Sequence, residues 1–164
     1  RGKPCNAGTT WEKDGWNYEF LHPVGRRAGS DNNSSCVLRI SGFGTAVLLT
    51  GDIESEAEAA LLARNAPLAA DIVSLPHHGS LSSSTPQFVA AVSPRIAVAS
   101  AGFGNRWNFP RDEVAARWKQ AGAQVEVTGQ GGAILLVYDG RDWHVRRSRE
   151  NRPALWRSVG ASVR

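Results

Sequence analysis

Two stretches decide the fold: Leu48-Leu49-Thr50-Gly51-Asp52 and Ile72-Val73-Ser74-Leu75-Pro76-His77-His78-Gly79-Ser80. Each is a short apolar run that breaks off into polar, turn-forming residues. Runs of this length bounded by glycine or proline read as buried strands. Between them, Glu54 to Arg64 is rich in Ala, Leu and Glu and reads as a helix, its acidic first turn (Glu54, Glu56, Glu58) matched to the helix dipole. Strand, helix and strand make the unit of an α/β sheet, where ligands gather at the carboxyl ends of the strands. Asp52 and the His77–His78 pair therefore mark the place to look for chemistry.

The alternation continues outward. Upstream, Trp16 to Leu21 alternates as a half-buried strand does, and Ser30-Asp31-Asn32-Asn33-Ser34 is a turn cluster. Cys36 to Ile40 and Ala46 to Thr50 read as paired strands across Ser41-Gly42-Phe43-Gly44. Downstream, Thr85-Pro86 starts a helix to about Val92, Ile96 to Ser100 is a buried strand, and Pro110 opens a helix that runs through Gln120 and stops at Gly122. Gln124 to Val127 and Ala133 to Tyr138 flank a turn at Gly129-Gln130-Gly131-Gly132, and Trp143 to Arg146 reads as a last edge strand. The expected class is α/β, with one helix layer packed on a sheet.

The chain has 164 residues, of which 41% are hydrophobic and 21% charged, enough for one domain with a sizeable core. No apolar run reaches the roughly 18 residues that span a bilayer, and the polar start Arg1-Gly2-Lys3-Pro4 does not read as a signal peptide. The absence of methionine suggests a processed chain or an internal fragment. A net charge of +4 and a pI near 9.6 permit contact with nucleic acid or anionic lipid. Arg141, Arg146, Arg147, Arg149, Arg152, Arg157 and Arg164 crowd the end of the chain around Trp143 and Trp156. Residues 1–145 are therefore read as the domain and 146–164 as a basic tail, either solvated or tracking a phosphate backbone. Cys5 and Cys36 can form one disulfide or remain two buried thiols, and no CxxC or Cys/His cluster points to a structural zinc site.

Asp52 can cap the following helix or face a cation. Adjacent side chains in an extended segment point opposite ways, so one of His77 and His78 is expected to face a shared metal and the other a substrate phosphate. Hydroxyls in Ser80-Leu81-Ser82-Ser83-Ser84-Thr85 can donate to a phosphate or stay in a solvated turn. Asn105 and Arg106 follow the Ile96 strand on the same side, where Arg106 can grip a phosphate or make a surface ion pair. Trp107 is read as core rather than as a base-stacking ring.

These residues carry a resemblance. Leu48 to Ile53, then Ala70 to Ser80, then Ser100-Ala101-Gly102-Phe103-Gly104-Asn105-Arg106 with Phe109-Pro110, resemble the metallo-β-lactamase-fold domain of the ComEC DNA-uptake channel family. Cys5-Asn6-Ala7-Gly8 to Trp11, Asp14-Gly15, Leu21-His22-Pro23 and Asn32 to Leu38 are similar to the same pattern, which covers roughly residues 4 to 140. The resemblance implies the C-terminal portion of an αββα sandwich, with a two-metal site of zinc or manganese. It places Asp52 and His77 as metal ligands and catalytic residues, and His78, Ser80, Asn105 and Arg106 as substrate contacts. In such sites a metal-bound water attacks a phosphodiester. The HxHxDH cluster that opens the family fold is absent, and Asn108-Phe109-Pro110 stands where many relatives have GHP.

The leading functional expectation is a nuclease module that degrades the non-transported strand during DNA uptake. Its counterpart is a non-enzymatic module of the same channel that binds or guides DNA, and a third option is a hydrolase of small esters. The implied partners are DNA, the membrane channel part of the same polypeptide and other competence proteins. The implied location is the periplasmic or extracellular side of the cell membrane, which a Cys5–Cys36 disulfide would suit.

Overall fold

A computed structural model of the chain describes residues 5–25 and 31–150. Strands β1 (Thr10–Lys13), β2 (Trp16–His22), β3 (Val37–Gly42) and β4 (Thr45–Leu49) form an antiparallel meander. From β4 the sheet continues in parallel through β5 (Ile72–Ser74), β6 (Ile96–Ala99) and β7 (Gln124–Val127). The seven strands lie in sequence order. The change of direction follows the connections. Asp14-Gly15 and Phe43-Gly44 are two-residue turns with positive φ at both positions, which suits tight hairpins. The later links carry helices α1 (Ser55–Ala63), α2 (Pro86–Val92) and α3 (Asp112–Gln120), and a helical crossover returns the chain parallel.

The core fills the space between these helices and one face of the sheet. Leu48, Val73 and Ala97 are cross-strand partners and fully buried. They pack with Ala57 and Leu61 of α1, Phe88 and Val89 of α2, and Val114 and Trp118 of α3. Buried polar groups in this layer are partnered. The Trp118 indole N–H donates to Ser84 Oγ at 3.1 Å. The Glu58 carboxylate accepts from the N–H groups of Ser84 at 2.5 Å and Thr85 at 2.8 Å, which ties α1 to the start of α2. Burial raises the Glu58 carboxyl above the usual carboxylate range.

A short helical turn, α4 (Thr128–Gly131), occupies the glycine-rich segment, and β8 (Ile134–Tyr138) and β9 (Trp143–Arg147) pair as a separate hairpin. Arg147 of β9 grips Glu126 through two guanidinium nitrogens. Glu126 alternates with core-facing Val125 and Val127, so the hairpin meets the large sheet on the face away from the helices. Trp143 reinforces this with a 2.8 Å hydrogen bond from its indole N–H to Thr45 Oγ1.

The mixed α/β class is as expected, and the strand and helix positions agree within a few residues. Three details differ. Strand β1 was not anticipated, because Thr10–Lys13 is short and wholly exposed. The third helix begins at Asp112 rather than Pro110. The proposed boundary at residue 145 falls inside β9, and Arg147 and Arg149 are engaged with Glu126 and the Gly129 carbonyl. Residues 151–164 of the basic tail, and Ser30 of the turn cluster, lie outside the described residues. Cys5 and Cys36 form a disulfide with a Cα–Cα distance of 6.0 Å, fastening the first described residue to the start of β3.

Candidate functional site

The neighbouring ends of β4 and β5 build the site. Buried Thr50 donates its N–H to Ser74 Oγ at 2.9 Å and its hydroxyl to the Ser74 carbonyl at 2.8 Å, which locks the two strand ends together. Gly51 follows with φ of 57°, and a Cβ there would lie 2.9 Å from that of Ser35, so both conformation and space call for glycine. The Asp52 N–H then donates to Ser35 Oγ at 3.2 Å.

Asp52 does not cap α1. Glu54 holds the N-cap position, and no side chain of that residue closes the turn. The acceptor comes from Asn33, whose Oδ1 receives the N–H groups of Glu54 at 2.9 Å and Ala57 at 3.3 Å. This leaves the Asp52 carboxylate to the cleft.

The segment after β5 is not extended. His77 and His78 adopt φ of 47° and 56°, two consecutive left-handed residues without a glycine between them. That conformation costs a non-glycine residue roughly 1–2 kcal/mol. It turns both rings into one cleft, in place of the opposite faces expected of a strand. His78 Nε2 lies 3.4 Å from Asp52 Oδ1. His77 Nδ1 lies 3.0 Å from Glu54 Oε1 and 3.3 Å from Ser82 Oγ. The expected Asp52–His77 partnership is thus replaced by two acid–imidazole pairs.

Glu54, in sequence a residue of the acidic first turn of α1, is the carboxylate that sequence reasoning misses. Its position two residues beyond Asp52 was the available signal. Asn32 Nδ2 donates to Glu54 Oε1 at 3.2 Å and the Ser82 hydroxyl does so at 2.9 Å. The Asn32 bond, then the Ser82 bond, lower the Glu54 carboxyl below its ordinary value, with a smaller contribution from His77, while partial burial opposes them. Ser80 joins this network through Ser82, with the two hydroxyl oxygens 3.0 Å apart.

The loop after β6 supplies the far wall. Asn105 spends its amide within that loop, donating to the carbonyls of Gly102 at 3.0 Å and Phe109 at 2.7 Å and accepting from the Phe109 N–H at 2.8 Å. It shapes the wall rather than offering a free amide. Phe109 stands 5.8 Å from the His77 ring and 6.4 Å from the His78 ring, centre to centre. Trp107, expected in the core, is 56% exposed. Arg106 lies over the Trp107 ring at 4.3 Å. Gly79 makes room for the wall: a Cβ there would stand 2.5 Å from Pro110 Cβ. Asp52, His77, His78, Trp107 and Phe109 together line an open cleft of about 440 Å³.

Among the described residues no group of three or more His, Cys, Asp or Glu converges on a point that could hold a metal ion. A catalytic zinc site takes three protein ligands. The two pairs supply two donors each, split between neighbouring contacts. The described residues therefore do not fit the zinc or manganese centre that the resemblance implies. Among the described residues no helix is long and apolar enough to cross a membrane.

No family model matches the chain. Individual proteins do. It is 39% identical over 125 residues to "Competence protein ComA" of Neisseria gonorrhoeae, covering 76% of this chain and 18% of that protein. It is 33% identical over 134 residues to "Recombination protein 2" of Haemophilus influenzae, covering 82% and 17%. Against "ComE operon protein 3" of Bacillus subtilis it is 33% identical over 124 residues, covering 76% and 16%. The chain spans less than a fifth of the length of each of these relatives. It is thus homologous to one segment of a set of longer proteins, one of which is named as a competence protein.

Proposed function

We propose that this chain is the DNA-hydrolysing module of a larger DNA-uptake protein, acting on the strand that is not transported. The observation that carries the reading is the pair of carboxylate–imidazole contacts, Asp52–His78 and Glu54–His77, with Asp52 and both rings lining one cleft. A surface that only guided DNA would gain nothing from two carboxylates beside a phosphate, since like charges repel. Carboxylates that hold imidazoles do serve proton transfer. Asp52 stands 3.4 Å from Nε2 of His78 and favours a proton there, and the other ring nitrogen is then suited to accept the proton of a water attacking phosphorus. The new P–O bond forms as the ester P–O bond breaks; the departing sugar oxygen takes a proton from solvent, and His78 returns the proton of the attacking water to solvent. Arg106, at the rim, neutralises the phosphodiester charge.

The chain's homology to a protein named for competence supports DNA as the substrate, and the Cys5–Cys36 disulfide supports an oxidising, outward-facing location. The architecture is read as the C-terminal part of a metallo-β-lactamase-like αββα sandwich. The test uses the 164-residue chain and a labelled single-stranded oligonucleotide, with and without Mn²⁺ or Zn²⁺. Cleavage that disappears in Asp52→Ala and His78→Ala is expected. Cleavage undiminished by Asp52→Ala, or none under any condition, overturns the hydrolytic reading, and binding without cleavage leaves the guiding role in its place.

A further inference from the structure

We infer that the Trp107 indole, backed by Phe109, seats one nucleobase of a single strand and thereby selects which phosphodiester lies over Asp52 and His78. The inference rests on the phosphodiester reading of the cleft and adds a residue that positions the strand. Trp107 is not an isolated surface hydrophobe. Its ring lies 6.2 Å from that of Phe109 with an interplanar angle of 14°, and Phe109 in turn lies 6.4 Å from His78 at 27°. Three near-parallel rings thus run from the rim of the cleft to the imidazole that contacts Asp52. The Asn105 hydrogen bonds hold the loop in this shape, so the rings are presented without ligand. At 56% exposure the indole has most of its surface open at the mouth of the cleft.

Every base offers a π face, and aromatic rings in series beside a cationic group are how proteins hold single strands regardless of sequence. In a duplex those faces are stacked on each other and out of reach. Arg106 supplies the charge. Its guanidinium covers the indole at 4.3 Å in an exposed, exchangeable contact. A base can take that place while the guanidinium moves to the adjoining phosphate.

The experiment compares anisotropy of a short labelled oligothymidylate with that of an abasic deoxyribose-phosphate strand of equal length, both bound by the 164-residue chain. The wild-type chain should bind the thymine strand about five- to a hundredfold more tightly. Trp107→Ala should remove that preference by weakening only the thymine strand, and Trp107→Phe should keep most of it. Leu135→Ala, an equally exposed apolar residue on β8, should change neither affinity. Truncating an exposed indole leaves the core intact, so loss of folding does not confuse the result. Equal binding of both strands, or a preference that survives Trp107→Ala, overturns the base seat and spares the phosphodiester reading. Binding of neither strand overturns both.

Discussion

Replacing Asn33 by alanine tests how the site is assembled. Asn33 Oδ1 accepts from the N–H groups of Glu54 and Ala57, and Ala57 is fully buried. Loss of a helix-capping acceptor costs about 0.5–2 kcal/mol, and a buried N–H left without a partner about 1–3 kcal/mol. Asn33→Ala should therefore destabilise the fold by about 2 kcal/mol. With a urea m-value of about 1–3 kcal/mol/M, the unfolding midpoint should fall by about 1 M. Asn33→Asp keeps the acceptor but turns a carboxylate oxygen toward Glu56 Oε2, now 3.5 Å from the amide nitrogen, and should recover part of the loss. Asp52→Ala provides the contrast, because the Asp52 side chain is 43% exposed and its contact with His78 is an exposed pair worth about 0–1 kcal/mol. Urea titrations of the three variants by circular dichroism decide the matter. The reasoning fails if Asp52→Ala costs more than Asn33→Ala, or if Asn33→Asp is no better than alanine.

Gly79→Ala should push Pro110 and with it the Phe109 wall, costing about 1–3 kcal/mol as overpacking does; a thermal midpoint unchanged from wild type would show that the two segments can part freely. The Glu126 carboxyl is lowered chiefly by its Arg147 hydrogen bonds, so its stabilisation is complete above the ordinary value of 4.5 and is lost as pH falls below it. Glu126→Gln should accordingly flatten the acid limb of a stability-against-pH curve. Glu58 has the opposite sign: burial raises its carboxyl, so its contribution is lost as pH rises from 4.5 through the raised value, and Glu58→Gln should remove that decline. Cys36→Ser opens a crosslink with a sequence separation of 31 and should cost about 3–4 kcal/mol on the loop-entropy model. Equal urea midpoints for the wild-type chain with and without reductant would contradict it.

The strand ends at Asp52 and at the histidines were legible because apolar runs stop there abruptly, and local pattern is what a sequence displays. Which ring meets which carboxylate was not. The extended geometry assumed for His77-His78 follows from the preceding strand, whereas both residues are left-handed, a state few residues other than glycine adopt unaided. The identity of the α1 cap was hidden for a related reason. Asp52 lies close in sequence to the helix, while Asn33 reaches it from a distant turn, and only the folded sheet brings that turn near. Trp107 reads in sequence as core at the start of a helix, yet the Asn105 hydrogen bonds hold its loop outward. Strand β1 carried a local sign in Asp14-Gly15, a hairpin dipeptide, but its four exposed residues gave no alternation to support it.

The contact between Gly79 and Pro110 fixes more than a local turn. The approach leaves no room for a side chain at residue 79, and the Arg111 N–H is bonded to the Gly79 carbonyl at 3.0 Å, so the histidine turn and the Phe109 segment are keyed to each other. The imidazole and phenyl rings that these two segments carry therefore move as one piece, and a push on either wall is felt by the other.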